Sequence, residues 1–202
     1  MRNSSRRIRI DFPQKSLAEY VYRYTELTVK TRTGGIGKIE NEAQIKSAVD
    51  TISKLLTTDN GKCGFMLLGN VGVGKTTILR ALQQSFLGLA AYGHIPDDVY
   101  LRYVPASAID NREAYKSTYA TLCDEKLLAI DDLGAEGTEH LDFGTVTTPV
   151  IDLIEYRYTR RLFTCFSTNL PLKELKLKYG SRIADRFNEM CEYIGFAGES
   201  YR

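Results

Sequence analysis

The apolar positions of this chain follow two rhythms. Short, mostly apolar runs occur at residues 65–68, 127–130 and 162–166, and residues 100–104 and 191–196 also have strand composition. Runs this short and this apolar read as strands buried on both faces. Elsewhere apolar residues recur every third or fourth position, which predicts helices. Ile45, Val49, Ile52 and Leu56 mark one that starts at Asn41, where Asn41 and Gln44 have capping-box spacing. Ile78, Leu79, Leu82, Phe86 and Leu87 mark another that runs to about Tyr92, with Gly93 placed to end it. Pro149 opens a third behind a Thr148 cap, with Val150, Ile151, Ile154 and Tyr158 as its buried face. Residues 172–179 form a short helix stopped by Gly180, and Ser181 caps the next, which buries Ile183, Phe187 and Met190. Leu17, Val21, Tyr24 and Leu27 or Thr28 predict a helix over residues 16–30, and residues 107–122 read as helical with undecided packing. Glycines at 34, 35 and 37 make residues 31–38 a flexible break, and residues 134–148 read as a mobile polar loop.

The turn after the first apolar run carries the chemistry. Residues 69–77 read Gly69, Asn70, Val71, Gly72, Val73, Gly74, Lys75, Thr76, Thr77, the spacing of a phosphate-binding loop between a strand and a helix. Its glycines let several backbone N–H groups point at one place. The helix that follows adds its unsatisfied N–H groups and the positive end of its dipole. Lys75 reaches the β- and γ-phosphates, and Thr76 ligates Mg²⁺. The chain is therefore expected to bind a nucleoside triphosphate.

A second apolar run ends in Asp131 and Asp132. Ligands of parallel sheets sit outside the carboxyl ends of the strands, which is where this pair falls. Asp131 is expected to support the Mg²⁺ shell and Asp132 to act as general base on the attacking water. The strand at 162–166 ends in Ser167, Thr168 and Asn169, a polar tip suited to hold a hydrogen-bond donor near the γ-phosphate or the water. Arg182 and Arg186 are four apart and share one helix face. They are either solvated or a charge donor to a phosphate.

Composition narrows the class. The 202 residues suit one α/β domain with an N-terminal appendage. No apolar run is long enough to span a membrane, and no secretory signal follows the N-terminal arginines, so a cytoplasmic location is expected. A net charge of +2 does not demand a polyanionic partner. Cys63, Cys123, Cys165 and Cys191 lack metal-ligand spacing and read as small buried hydrophobes. Arg2, Arg6, Arg7 and Arg9 form either a solvated terminus or a nucleic-acid-binding arm.

The order of motifs resembles the AAA+ ATPases of the bacterial replicative helicase-loader group and the similar ATP-binding subunits of insertion-sequence transposases. The resemblance covers roughly residues 45–196. It is carried by the phosphate loop, by residues 127–134, by Ile154-Glu155-Tyr156-Arg157-Tyr158 with residues 163–170, and by residues 172–187. It implies a P-loop NTPase fold of AAA+ type: a five-stranded parallel sheet with helices on both faces, without the C-terminal helical lid. It implies that Asp131 and Asp132 are the Walker B acids, although many AAA+ proteins have glutamate in the second place. Thr168 and Asn169 match the sensor-1 position. Arg186, and after it Arg182, matches the arginine that completes a neighbouring subunit's ATP site in a homo-oligomer.

The resulting expectation is a short basic, helical appendage over residues 1–40 and an AAA+ ATP-binding domain over residues 41–202. Its cofactors are ATP and Mg²⁺. Its function is ATP hydrolysis to load or remodel a replicative helicase or other partner on single-stranded DNA. An ATP-dependent accessory subunit of a transposase, a metabolic P-loop kinase and a nucleotide-gated adaptor that hardly turns ATP over are the alternatives.

Overall fold

The computed structural model describes residues 9–59, 61–109, 116–137, 140–142, 145–147 and 149–198. Arg2, Arg6, Arg7 and the Thr148 cap lie outside them, as does the middle of the helix expected at 107–122.

Five parallel strands form the central sheet: β1 (Gly64–Leu68), β2 (Leu101–Pro105), β3 (Leu127–Asp131), β6 (Phe163–Thr168) and β7 (Cys191–Gly195). Their spatial order is β2-β3-β6-β1-β7, so β1 is flanked by β6 and β7. All five were legible as apolar or strand-like segments. Two short antiparallel strands, β4 (His140–Asp142) and β5 (Thr145–Thr147), pair apart from this sheet. They replace part of the loop expected at 134–148, where the alternation of His140-Leu141-Asp142 and Thr145-Val146-Thr147 is too short to stand out among polar residues.

The two-residue period of the strands divides the molecule. Phe65 and Leu67, Leu127 and Ala129, and Phe163 and Cys165 point to one core. Met66, Leu128, Ile130 and Phe166 point to the other. On the first face lie α1 (Gln14–Arg32), α2 (Glu42–Thr57) and α3 (Lys75–Ala91). The second face is covered by α4 (Ala106–Ile109), α5 (Lys116–Asp124), α6 (Pro149–Thr159) and α7 (Leu172–Met190). All four cysteines are buried free thiols. Among the described residues, no helix is long and apolar enough to cross a membrane.

Several local expectations are corrected. The capping box at α2 does not form: Asn41 makes no side-chain cap, and Gln44 Oε1 is buried without a partner among the described residues. Leu87 is half exposed, because it lies outside the face of α3 that buries Ile78, Leu79, Leu82, Phe86 and Leu89. In α7 the break expected at Gly180 is real, with φ 84° inside what is otherwise one helix. The break expected at residues 31–38 is more ordered than a flexible linker. Helix α1 continues to Arg32, and Gly35 N–H returns to Lys30 O at 2.7 Å. Both Gly34 and Gly35 have positive φ, which lets the chain reverse there.

Helix α1 contributes Leu17, Ala18, Val21 and Thr25 to the interior. It runs along α3 in close contact. Gly88 of α3 leaves room for Tyr20 and Tyr24, whose hydroxyls lie within 2.5 Å of where a Cβ would stand. At the other end Arg32 reaches Thr77 in the first turn of α3. The two helices are therefore antiparallel.

The buried face of α6 contains Val150, Leu153, Ile154 and Arg157, whereas the expected Ile151 and Tyr158 are only partly buried. Arg157 is fully buried. Its guanidinium donates to Thr164 Oγ1 at 2.8 Å, to the carbonyls of Leu122 at 2.8 Å and Glu125 at 2.9 Å, and to Phe163 O at 2.8 Å. One side chain thus ties α6 to the entry of β3 and to β6. Burial lowers its pKa to about 10, so it remains a cation at neutral pH.

Candidate nucleotide-binding site

The site forms where β1, β3 and β6 deliver their carboxyl ends. Beyond Leu68 the backbone turns through Gly72 (φ 92°) and Gly74 (φ 102°), a region that L side chains rarely enter. Helix α3 then starts at Lys75, so its free N–H groups face the same space as the loop amides. This is the strand–loop–helix context expected for residues 69–77.

Lys75 Nζ donates to Gly69 O at 2.7 Å, Asn70 O at 2.8 Å and Asn169 Oδ1 at 2.7 Å. Asn169 Nδ2 donates in turn to Asp132 Oδ1 at 3.3 Å. Asn169 thereby joins the cation of the loop to the second acid of β3, across 94 residues of sequence. Thr168, its partner in the expected polar tip, turns the other way and donates to Leu133 O at 2.6 Å.

Asp131 is 2% exposed and held from three sides. Thr76 Oγ1 donates to Oδ1 at 3.2 Å, Ser167 Oγ also donates to Oδ1, and Tyr103 Oη donates to Oδ2. Burial, and then the bond to Asp131, raise the Tyr103 pKa well above its usual value. The phenol keeps its proton and remains a donor. Asp132 is exposed and has φ 53°, a left-handed conformation that aspartate and asparagine tolerate better than most residues. Its N–H donates to Ser167 Oγ at 3.0 Å. Ser167 therefore positions both acids.

A cavity of about 240 Å³ opens among Val71, Gly72, Lys75, Thr76, Asp132 and Asn169. A second, of about 160 Å³, adjoins it between the glycine loop, the start of α2 and the last turns of α1. Thr76 with Asp131 and Asp132 offers the hard oxygen donors that Mg²⁺ prefers, and one or two carboxylates beside phosphate oxygens are its usual set. These residues fit the ion.

Arg182 and Arg186 do not reach this cavity. Arg182 is ion-paired to Glu155 at 2.7 Å with its side chain 72% exposed. Arg186 stacks on Tyr158, 4.2 Å from the ring centre, donates to its hydroxyl at 3.0 Å and is 30% exposed. The exposed face expected for the pair is thus shared unequally, because Tyr158 covers the second arginine.

Three contributors were not anticipated. Tyr103 braces Asp131 together with Ser167 of the expected polar tip, and Arg32 of α1 lines both cavities. The third is Glu136, buried behind β3. It accepts from Gly134 N–H at 2.8 Å and from Tyr179 Oη, and lies 3.7 Å from Lys178 Nζ. Lys178 Nζ also donates to Gly134 O at 2.7 Å and Glu136 O at 2.6 Å. The first part of the loop read as mobile is therefore clamped to α7. Alternation marks Tyr103 only as a strand residue, and nothing in local spacing links Arg32 or Glu136 to the site.

No family model matches this chain, and no curated protein matches it in sequence. Solved structures do. The DnaC helicase loader has 21% identity and a TM-score of 0.62, over 87% of this chain and 99% of that one. DnaI has 20% identity and a TM-score of 0.61, over 100% of both chains. The replication initiator DnaA bound to AMPPCP and single-stranded DNA has 14% identity and a TM-score of 0.52, over 81% of this chain and 48% of that one. At these identities the likeness establishes the fold: the five-stranded parallel sheet is that of the AAA+ P-loop NTPases.

Proposed function

We propose that this chain is an AAA+ ATPase that uses ATP hydrolysis to load or remodel a replicative helicase, or another partner, on single-stranded DNA. The observation that carries the reading is the convergence of Lys75, Asn169 and Asp132 in one hydrogen-bonded line at the mouth of the phosphate loop. A lysine for phosphate, an acid for water and an amide between them are the parts hydrolysis needs. The fold likeness to a helicase loader and to a nucleotide- and DNA-bound initiator supports the choice of partner.

In this reading residues 69–77 cradle the triphosphate, and Thr76 and Asp131 hold Mg²⁺. The ion, when bound, neutralises charge on the β- and γ-phosphates. Asp132 accepts the proton of the attacking water, and Asn169 orients the γ-phosphate or that water. The second cavity, with Val29, Ile39, Ile45 and Val73 in its lining, offers an apolar surface that would take the base. Residues 1–40 act as an arm on the 41–202 ATPase domain, with α1 docked along α3.

Replacing Lys75 by alanine is expected to weaken binding of a fluorescent ATP analogue at least about tenfold, about 1.4 kcal/mol. Lys75 opens α3 and is 5% exposed, so the thermal midpoint is measured beside the affinity to show that the variant is folded. Unchanged affinity would remove the phosphate-loop assignment. Turnover is expected to rise with single-stranded DNA. Transfer of phosphate to a small metabolite in place of water would instead identify a kinase.

Arg186, with Arg182 as second candidate, is proposed to act on a neighbouring subunit's ATP in a head-to-tail oligomer. An arginine supplied in trans contributes on the order of 10³ in rate in other P-loop systems. Arg186→Ala and Lys75→Ala subunits should each be inactive alone and regain part of the ATPase activity when mixed. A co-assembled mixture without recovery counts against the trans role.

A further inference from the structure

We infer that Arg32, the last residue of α1, is a phosphate-binding residue supplied in cis, and that it ties the position of the N-terminal helix to nucleotide occupancy. The inference rests on the nucleotide-binding reading above and extends it to a helix that no phosphate-loop motif includes.

Three observations place it there. Arg32 lines both cavities, so it stands at their junction, on the path from the phosphate loop to the base. Its Nη1 lies 3.5 Å from Thr77 Oγ1, at the outer edge of hydrogen-bonding distance. Thr77 is the third residue of α3, and the N–H groups of that first turn are the ones turned toward a bound phosphate. A guanidinium held beside Thr77 by so long a contact has donors left for a better acceptor, and phosphate oxygens take arginine in a two-pronged arrangement.

Charge favours the same assignment. Among the described residues that line the phosphate cavity, Lys75 and Arg32 are the cations and Asp132 is the carboxylate. Asp131 lies just behind, bonded to Thr76. Two cations therefore face two acids, and without Arg32 the protein's own charge at the site would be negative where a polyanion has to bind.

The helix is built to report the contact. Immediately after Arg32 the chain is held by Thr33 N–H on Val29 O at 3.1 Å, by Gly35 N–H on Lys30 O at 2.7 Å and by Gly37 N–H on Thr33 Oγ1 at 2.8 Å. The reversal through Gly34 and Gly35 leads directly to residues 37–41, the far wall of the second cavity. A phosphate that draws Arg32 inward thus draws in the last turn of α1 and this wall together. Helix α1 is the packed helix of residues 1–40, so nucleotide occupancy is coupled to the position of that helix.

The test compares wild type, Arg32→Gln, Arg32→Lys and Lys75→Ala in the full chain, with fluorescent ATP and ADP as probes. Hydrogen exchange is read with and without saturating ADP. Arg32→Gln should weaken both nucleotides about tenfold, the size expected for hydrogen bonds to a charged group. Arg32→Lys should recover part of the loss. In wild type ADP should protect residues 69–77 and also 29–39. In Arg32→Gln at saturation it should protect 69–77 alone. Wild-type affinity in Arg32→Gln overturns the phosphate contact, and retained protection of 29–39 overturns the coupling. A Lys75→Ala protein that binds as wild type does overturns the underlying nucleotide site instead, which separates the two failures. Arg32 is exposed, so its variants fold, and an unchanged thermal midpoint verifies this.

Discussion

Asp132→Asn is expected to bind ATP as the wild type does and to lose at least about a hundredfold in turnover, the lower range for removal of a general base. The substitution keeps the shape of the turn. Asparagine tolerates the left-handed backbone at φ 53° as aspartate does, so the turn after β3 is kept. The backbone N–H still reaches Ser167 Oγ, and the side chain retains an oxygen for Asn169 Nδ2. The negative charge and the capacity to take a proton are lost together. Steady-state phosphate release beside equilibrium nucleotide binding measures both halves. Hydrolysis at the wild-type rate would move the base elsewhere. Asp131→Asn should behave differently, because Thr76, Ser167 and Tyr103 all donate to that carboxylate. An amide NH₂ would face a donor there, so Mg²⁺-dependent binding should fall rather than turnover alone. The left-handed turn suits an aspartate at position 132, which tolerates that conformation better than most residues do.

Arg157→Met is expected to lower the free energy of unfolding by roughly 4 kcal/mol, about 1 kcal/mol for each of the acceptors it leaves without a donor. The methionine fills much of the volume and leaves the carbonyls of Leu122, Glu125 and Phe163 and the hydroxyl of Thr164 short of a donor. Each orphaned group costs about 1–3 kcal/mol, less where a neighbour can relax toward it. Arg157→Lys should fall between the two, since one ammonium cannot span acceptors on both β6 and the segment before β3. Urea unfolding followed by far-UV circular dichroism measures this. A loss below about 1 kcal/mol would mean that other groups satisfy these acceptors. The same residue anchors the strands that carry Asp131 and Asn169, so nucleotide affinity should weaken in these variants as well.

Much of this molecule is written locally. The phosphate loop was legible because a strand, three glycines, a lysine and a helix stand next to each other, and each acts on its neighbours within one turn. The five strands were legible because a strand buried on both faces has little room for polar residues, and the two acids after the third because a buried run seldom ends in a pair of charges by accident. Helix faces were read less well. Leu87 matched the spacing of α3 and lies half exposed, while Arg157 matched no apolar stripe and is fully buried. A periodicity argument scores side chains by type, and an arginine whose donors are all satisfied behaves as interior.

Long-range partners belong to the tertiary structure alone. Asn169 meets Lys75, Ser167 braces Asp131 and Asp132, and Glu136 takes Tyr179, over separations of 35 to 94 residues. Such contacts depend on the order β2-β3-β6-β1-β7, which puts the end of β6 between the ends of β1 and β3. Arg32 illustrates the limit. Its neighbours in sequence say only that a helix ends there, and its place beside Thr77 follows from α1 lying antiparallel on α3. The sequence alone determined which backbone segments can turn around a phosphate, because that is a property of adjacent residues. Which side chains then surround it was decided by packing, since burying two apolar faces of one sheet fixes where distant strand ends and helix ends must meet.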